Sequence, residues 1–331
     1  MKPKDLSQLL TRTIAARLPV LIKGAPGVGK TDIVTQACQK TDTVLLVSHP
    51  VVDEPIDYKG LPAIREDHAE FLPFGSLRQL IEAKKPLVYF MDDLGQAPAS
   101  VQAAAMQLIL ARSINGFKVA DNVTFIAATN RKQDHAGVTG ILEPVKSRFV
   151  SIVELEPDID DWVLWASTNK LPSELIAFIR FRPQLLFDFS PSVEMKNSPC
   201  PRTVHNVGKL MKLGLTPELE FDAYAGAAGE GFAAELMGFL QIFRQLPDPR
   251  LILINPEQAD VPDDPATLYA LIGALSRLAE PENMDALVRF ANRLPQEFSV
   301  LLITDAEKQH PEIVNTHAYA TWAARHHTSI V

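Results

Sequence analysis

The spacing of hydrophobic positions changes near residue 156. Before it, short runs that are apolar at nearly every position alternate with stretches of helical spacing; after it, almost everything follows helical spacing. Leu6, Leu9, Leu10 and Ile14 share one face and predict an amphipathic helix over 5–17. Runs at 20–22, 44–47, 87–91 and 123–127, rich in branched residues, predict strands buried on both faces of a parallel sheet. Helical patterns at about 30–40, 76–84 and 98–111 separate them, and 150–155 is a fifth candidate strand. Such alternation predicts an α/β sheet with right-handed crossovers. Beyond 156, helices are predicted at 158–168, 172–180, 202–213, 217–226, 230–246, 265–279, 281–294 and 311–325. The Pro- and Asp-rich stretch 247–265 reads as an ordered linker. The expected domains are 1–156 (α/β), 157–214 (small and helical) and 215–331 (a helical C-terminal extension).

Composition narrows the function. The 331 residues are 47% hydrophobic and 22% charged, enough for a packed core, and the net charge is −8. An acidic chain without a basic, aromatic-rich stretch is a poor nucleic-acid binder by charge. Two cysteines, Cys38 and Cys200, can build neither a disulfide framework nor a multi-thiolate metal site, which fits a reducing cytoplasm. No run approaches the roughly 18–20 apolar residues of a membrane span, and residues 1–8 lack the pattern of a signal peptide. A cytoplasmic location is the expectation.

Three motifs carry chemistry. Residues 24–31, G-A-P-G-V-G-K-T, fit the phosphate-loop pattern G-x-x-x-x-G-K-[ST] in full, between a predicted strand and a predicted helix. Gly24, Gly27 and Gly29 would let the loop, with Ala25, Pro26 and Val28 between them, bend its available N–H groups around phosphates, and the first turn with Asp32 would add the positive end of the helix dipole. Lys30 supplies a cation for the β- and γ-phosphates, and Thr31 a hydroxyl for Mg²⁺. Residues 87–93, L-V-Y-F-M-D-D, deliver Asp92 to a strand end, where it would join Thr31 in holding Mg²⁺, and Asp93 would polarise attacking water. Residues 123–130 end another buried strand in Thr129-Asn130, whose amide could orient the water or touch the γ-phosphate. Taken alone, an acidic pair or an Asn after a strand is an ordinary turn.

In that order, these motifs resemble AAA+ ATPases, and within them the MoxR branch. Three further stretches are similar to that branch: D-Y-K-G-L-P (57–62), A-R-S-I-N-G-F-K-V (111–119), whose Asn115-Gly116 is an independent hairpin signal, and L-E-P-V-K-S-R-F (142–149). The resemblance covers about residues 5–215. It implies a P-loop αβα sandwich followed by an all-helical lid, with Asn130 as sensor 1 and Arg148 as an arginine finger reaching a neighbouring subunit's nucleotide. A surface Arg capping the preceding helix is the plainer reading of Arg148, and Arg131 is a competitor for the role. Arg202, in S-P-C-P-R-T (198–203), stands where sensor 2 would be, although the family more often reads Ser-Pro-Arg without interruption.

The resemblance further implies Mg-ATP hydrolysis in a homo-oligomeric ring, a hexamer by family habit, that remodels or activates a partner protein. A partner with a von Willebrand factor A domain is implied by family alone. Most AAA+ proteins carry Glu at the position of Asp93, so the hydrolysis is expected to be slow; an ATP-gated scaffold that barely turns over is an alternative, and a DNA-associated motor or loader is another. Phe71, Phe74 and Phe117 fall in segments that line a central pore in the family, where they would grip a client, or else they are buried. Cys38 and the run 103–110 read as core, and His326-His327 as solvated tail.

Overall fold

A computed structural model describes residues 1–134, 140–191, 194–246 and 248–326. The chain divides into two units, Met1–Asp158 and Ile159–Val331. In chain order the first unit contains α1 (Pro3–Ala16), β1 (Val20–Lys23), α2 (Lys30–Lys40), β2 (Val44–Ser48), α3 (Pro55–Lys59), β3 (Leu61–Arg65) and β4 (His68–Leu72). It continues with α4 (Gly75–Ile81), β5 (Leu87–Met91), α5 (Ala99–Ala111), β6 (Ser113–Ile114), β7 (Phe117–Lys118), β8 (Val123–Thr129), α6 (Glu143–Lys146) and β9 (Ser151–Glu154).

Five strands form one parallel sheet in the order β2-β5-β8-β1-β9. Alternation along the strands divides the core between its faces. Leu21, Tyr89, Met91, Phe125 and Ala127 pack with Val101, Ala105 and Leu108 of α5. Val20, Ile22, Val88, Phe90 and Ile126 are also buried, as are Leu6, Leu10 and Ile14 of α1 and Val34 of α2. Thr124, between them in register, donates from Oγ1 to the Ile14 carbonyl at 3.3 Å, so this second face is the one that α1 covers. The expectation of burial on both faces holds for β1, β5 and β8 but not for β2, where Val44 and Val47 are 47% and 37% exposed. The reason is position: β2 is an edge strand, and an apolar run does not distinguish edge from centre.

Two hairpins sit outside the sheet. Ile114 pairs with Phe117 around Asn115 (φ 48°) and Gly116 (φ 82°), the left-handed pair that the Asn-Gly turn predicts. The β3–β4 hairpin falls in the segment of Phe71, where no strand is predicted above. Its paired Pro62 and Phe71 and its paired Ile64 and Ala69 present an apolar face to solvent, with Ile64 84% exposed. Phe74 and Phe117 are half-buried. The Asp-x-x-Gly element acquires local roles here. Asp57 accepts from the Glu54 N–H at 2.8 Å, closing the start of α3. Gly60 (φ 92°) lies so near β4 that a Cβ would come within 2.8 Å of the Leu72 carbonyl.

The second unit is helical among its described residues: α7 (Ile159–Thr168), α8 (Ser173–Phe181), α9 (Pro201–Met211), α10 (Pro217–Ala228), α11 (Glu230–Gln245), α12 (Pro249–Ile254), α13 (Pro265–Arg277), α14 (Met284–Ala291), α15 (Gln296–Gln309) and α16 (His317–His326). The stretch read as a linker carries α12; Pro247 lies outside the described residues. Helix α15, in a stretch given no element above, starts after Pro295, and its Ser-Val-Leu-Leu-Ile-Thr centre has strand-like composition that tertiary burial overrides. One apolar cluster runs from Trp162 to Ala270 and a second from Ile252 to Trp322. Helix α13 serves both, with Ala266 and Ala270 in the first and Leu268, Leu271, Ile272 and Leu275 in the second. At Gly273 a Cβ would meet the Cβ of Ala177 in α8 at 2.9 Å.

Two smaller readings also meet the structure. Cys38 is buried, and burial pushes its thiol up to about 11, as core packing requires. His326 is not solvated tail: its ring stacks on Trp322 with centroids 4.6 Å apart. His327 lies outside the described residues. No helix among the described residues is long and apolar enough to cross a membrane.

Candidate nucleotide site

The site forms at the carboxyl ends of β1, β5 and β8, where open α/β sheets bind ligands. The loop from Gly24 to Gly29 depends on its glycines. A Cβ at Gly24 would lie 3.0 Å from the Leu155 carbonyl, while Gly27 and Gly29 have φ of 73° and 96°. Gly29 is the N-cap of α2, so the first turn of the helix directs its N–H groups toward the loop. Ala25 and Val28 are buried, Pro26 is half-buried, and the Asp32 side chain is exposed.

Lys30 is 7% exposed. Its ammonium donates to the Gly24 carbonyl at 3.0 Å, to that of Ala25 at 2.9 Å and to Asn130 Oδ1 at 2.7 Å. Asn130 Nδ2 in turn donates to Asp93 Oδ1 at 2.9 Å. Both ends agree on the orientation of the amide, because an ammonium can only donate and a carboxylate can only accept. One bonded chain therefore runs from α2 through the end of β8 to the residues after β5. Asp93 holds φ 59° and ψ 34°, a left-handed conformation that Asp and Asn tolerate better than longer side chains. Beside this chain, Thr31 Oγ1 donates to Asp92 Oδ2 at 2.7 Å.

Two oxygen groups converging beside a phosphate loop suit Mg²⁺, a hard cation that takes one or two protein ligands and completes its shell with water and phosphate. Among the described residues no three His, Cys, Asp or Glu side chains cluster as a self-contained metal site.

Arg148 is elsewhere. It follows α6, is half-buried, and its Nε has no acceptor among the described residues; Nη1 reaches only Ser147 Oγ at 3.4 Å. Two residues on, the Val150 N–H donates to the Pro19 carbonyl, at the end of β1 opposite the phosphate loop. The length of β1, at roughly 3.3 Å per residue, separates Arg148 from its own loop. Arg131 is occupied: its guanidinium binds both oxygens of Asp134 and lies 3.7 Å from Glu154. The Asp134 carboxylate is the main cause holding its pKa above the ordinary Arg value. Arg202 belongs to the helical unit, as the second residue of α9, and is exposed. Cys200 caps that helix, and its N–H donates to Thr203 Oγ1 at 2.8 Å.

Gln102 was missed in the sequence. It is 1% exposed, donates from Nε2 to the Ala97 carbonyl at 3.1 Å and the Gly140 carbonyl at 2.9 Å, and accepts from the Leu142 N–H at 3.0 Å. It thus clamps the segment that leads to Arg148. The available signal was an amide beside the apolar run 103–110, and Gln107 inside that run carries the same signal without the contacts. Gln102→Leu is expected to cost about 2–4 kcal/mol, since buried backbone groups would lose their partner, and a thermal melt checks it.

The protein-family profile "ATPase family associated with various cellular activities (AAA)" matches residues 20–157, so this part of the chain is similar to that family. No curated protein matches the chain. Among solved structures, the RuvB Holliday junction branch migration motor of Thermotoga maritima is 18% identical, with 82% of this chain and 80% of that chain covered and a TM-score of 0.41. NtrX from Brucella abortus, in complex with ATP, is 14% identical, with 99% of this chain and 68% of that chain covered and a TM-score of 0.43. At these scores neither likeness bears on what the chain does.

Proposed function

We propose that the AAA-like domain binds Mg-ATP and hydrolyses it within a homo-oligomeric ring that remodels a partner protein, as the resemblance to the MoxR branch implies. The observation that carries this reading is the bonded chain Lys30–Asn130–Asp93 beside the Thr31–Asp92 pair. It gathers Lys30, Thr31, Asp92, Asp93 and Asn130 at one place, which supports the reading. The phosphate-loop N–H groups and Lys30 bind the β- and γ-phosphates. Thr31 and Asp92 would hold Mg²⁺, which neutralises charge on the phosphates. Asp93 and Asn130 orient a water for in-line attack on the γ-phosphorus. As the new P–O bond forms, the bond to the β–γ bridging oxygen breaks, ADP leaves, and Asp93 accepts the water's proton.

The remaining parts belong to the ring. Arg148, on the far side of β1 from its own loop, would serve a neighbour's nucleotide. The start of the helical unit acts as lid, with Arg202 as sensor 2. The apolar face bearing Ile64 and Phe71 is offered as the client surface. The test is phosphate release from Mg-ATP over a range of protein concentrations, beside Lys30→Ala. Specific activity is expected to rise with concentration as the ring assembles, and Lys30→Ala to lose it by about a hundredfold or more. Activity equal in wild type and Lys30→Ala would sink the proposal.

A second reading draws on one observation. Asp93 is shorter than Glu, and its carboxylate is already engaged by Asn130. ATP binding without phosphate release at any concentration would favour a nucleotide-gated scaffold over a hydrolase.

A further inference from the structure

The helical unit contains a cavity of about 700 Å³, within the roughly 300–1,000 Å³ range of small-molecule sites. It is lined by the loop after α7 and by α8, α13 and α15. Arg180 lines it with a side chain only 12% exposed. One of its nitrogens lies 2.6 Å from Asp305, while Nε is buried without an acceptor among the described residues. Leu171, Ile176 and Ile272 supply an apolar wall. Lys170, Lys212, Arg277 and Lys308, each exposed, complete the lining. Counting Arg180, five fixed cations stand against two carboxylates, Glu174 and Asp305, in a chain whose net charge is −8.

That imbalance is the informative fact. A scattered surface lysine is solvated and means little. Five cations converging on one concavity of an acidic protein raise the local concentration of anions. The Asp305 carboxylate engages one nitrogen of the Arg180 fork, and the part of that side chain still exposed at the cavity suits a second anionic oxygen. The apolar wall calls for a ligand that is more than a bare ion.

We propose that this cavity is a binding site for a small dianion, phosphate- or carboxylate-headed, carried on an apolar or aromatic body. The site is independent of the phosphate loop.

The test is calorimetric titration of the full chain carrying Lys30→Ala, which weakens the phosphate loop's own anion binding. The probes are phenyl phosphate, the dicarboxylate phthalate and neutral benzyl alcohol. At least one dianion is expected to bind saturably at one site per chain, with benzyl alcohol giving no binding. Adding the exposed pair Lys212→Glu and Lys308→Glu should weaken that binding by about tenfold. Which dianion binds names the head group. Arg180→Leu should abolish binding; should it fail to fold because Asp305 is left buried alone, the lysine pair decides. The proposal is overturned if neither dianion binds saturably, if benzyl alcohol binds as well as they do, or if the lysine pair changes the affinity by less than about threefold.

Discussion

Replacing Arg148 by alanine is expected to reduce phosphate release by about 10³-fold or more, the scale of an arginine finger, while leaving ATP binding within a few-fold. The expectation rests on position. Val150 is bonded to Pro19 at the end of β1 remote from Gly24–Thr31, which sets Arg148 apart from its own subunit's loop. Its Nε has no acceptor among the described residues, in contrast to Arg131, fixed by Asp134 and Glu154. Mixing separates a role in trans from a structural one. Lys30→Ala protein lacks a working loop but keeps its finger, and Arg148→Ala protein the reverse. Combined in equal amounts and allowed to exchange, they should restore activity at about one site in four, where an intact loop meets an intact finger in a head-to-tail ring. If both variants are inactive and the mixture stays inactive, Arg148 acts only within its own fold.

Asp93→Asn should lower turnover by about 10²–10³-fold with little change in KM for ATP. Asn is the informative substitution for a structural reason. It tolerates the left-handed backbone at φ 59°, and its amide oxygen can still accept from Asn130, so shape and hydrogen bonding persist while the charge is lost. Asp93→Glu tests something else. The extra methylene pushes against the bond to Asn130, and Glu adopts this backbone conformation less readily. Turnover unchanged by Asp93→Asn would mean that this carboxylate takes no part in activating water and that the nucleotide-gated reading stands.

Much of this was legible in the sequence, for identifiable reasons. The strands β1, β5 and β8 are apolar at nearly every position because they are central, and Asn115-Gly116 dictates its turn through backbone conformation. The phosphate loop is legible because only glycine permits φ near 90° at Gly29 or the close approach at Gly24. What was not legible depends on contacts distant in the chain. Asn130 bonds Lys30 across 100 positions and Asp93 across 37, and spacing along the sequence says nothing of either. Gln102 looked like an exception in an apolar helix until Gly140 and Leu142 were seen against it. Helix α12 was obscured by the prolines around it, and the exposure of Val44 by the ordinariness of its strand.

Gly273 has a consequence for how this protein can vary. It stands where α8 and α13 approach so closely that a methyl group would strike Ala177, and α13 is the wall common to both apolar clusters of the helical unit. A larger side chain there would pry the helices apart and loosen two cores at once, unless Ala177 gave up its own methyl group. Lineages carrying this unit should therefore keep position 273 among the smallest residues even where Ala177 drifts, and should inherit the helices on both sides of it as a single block.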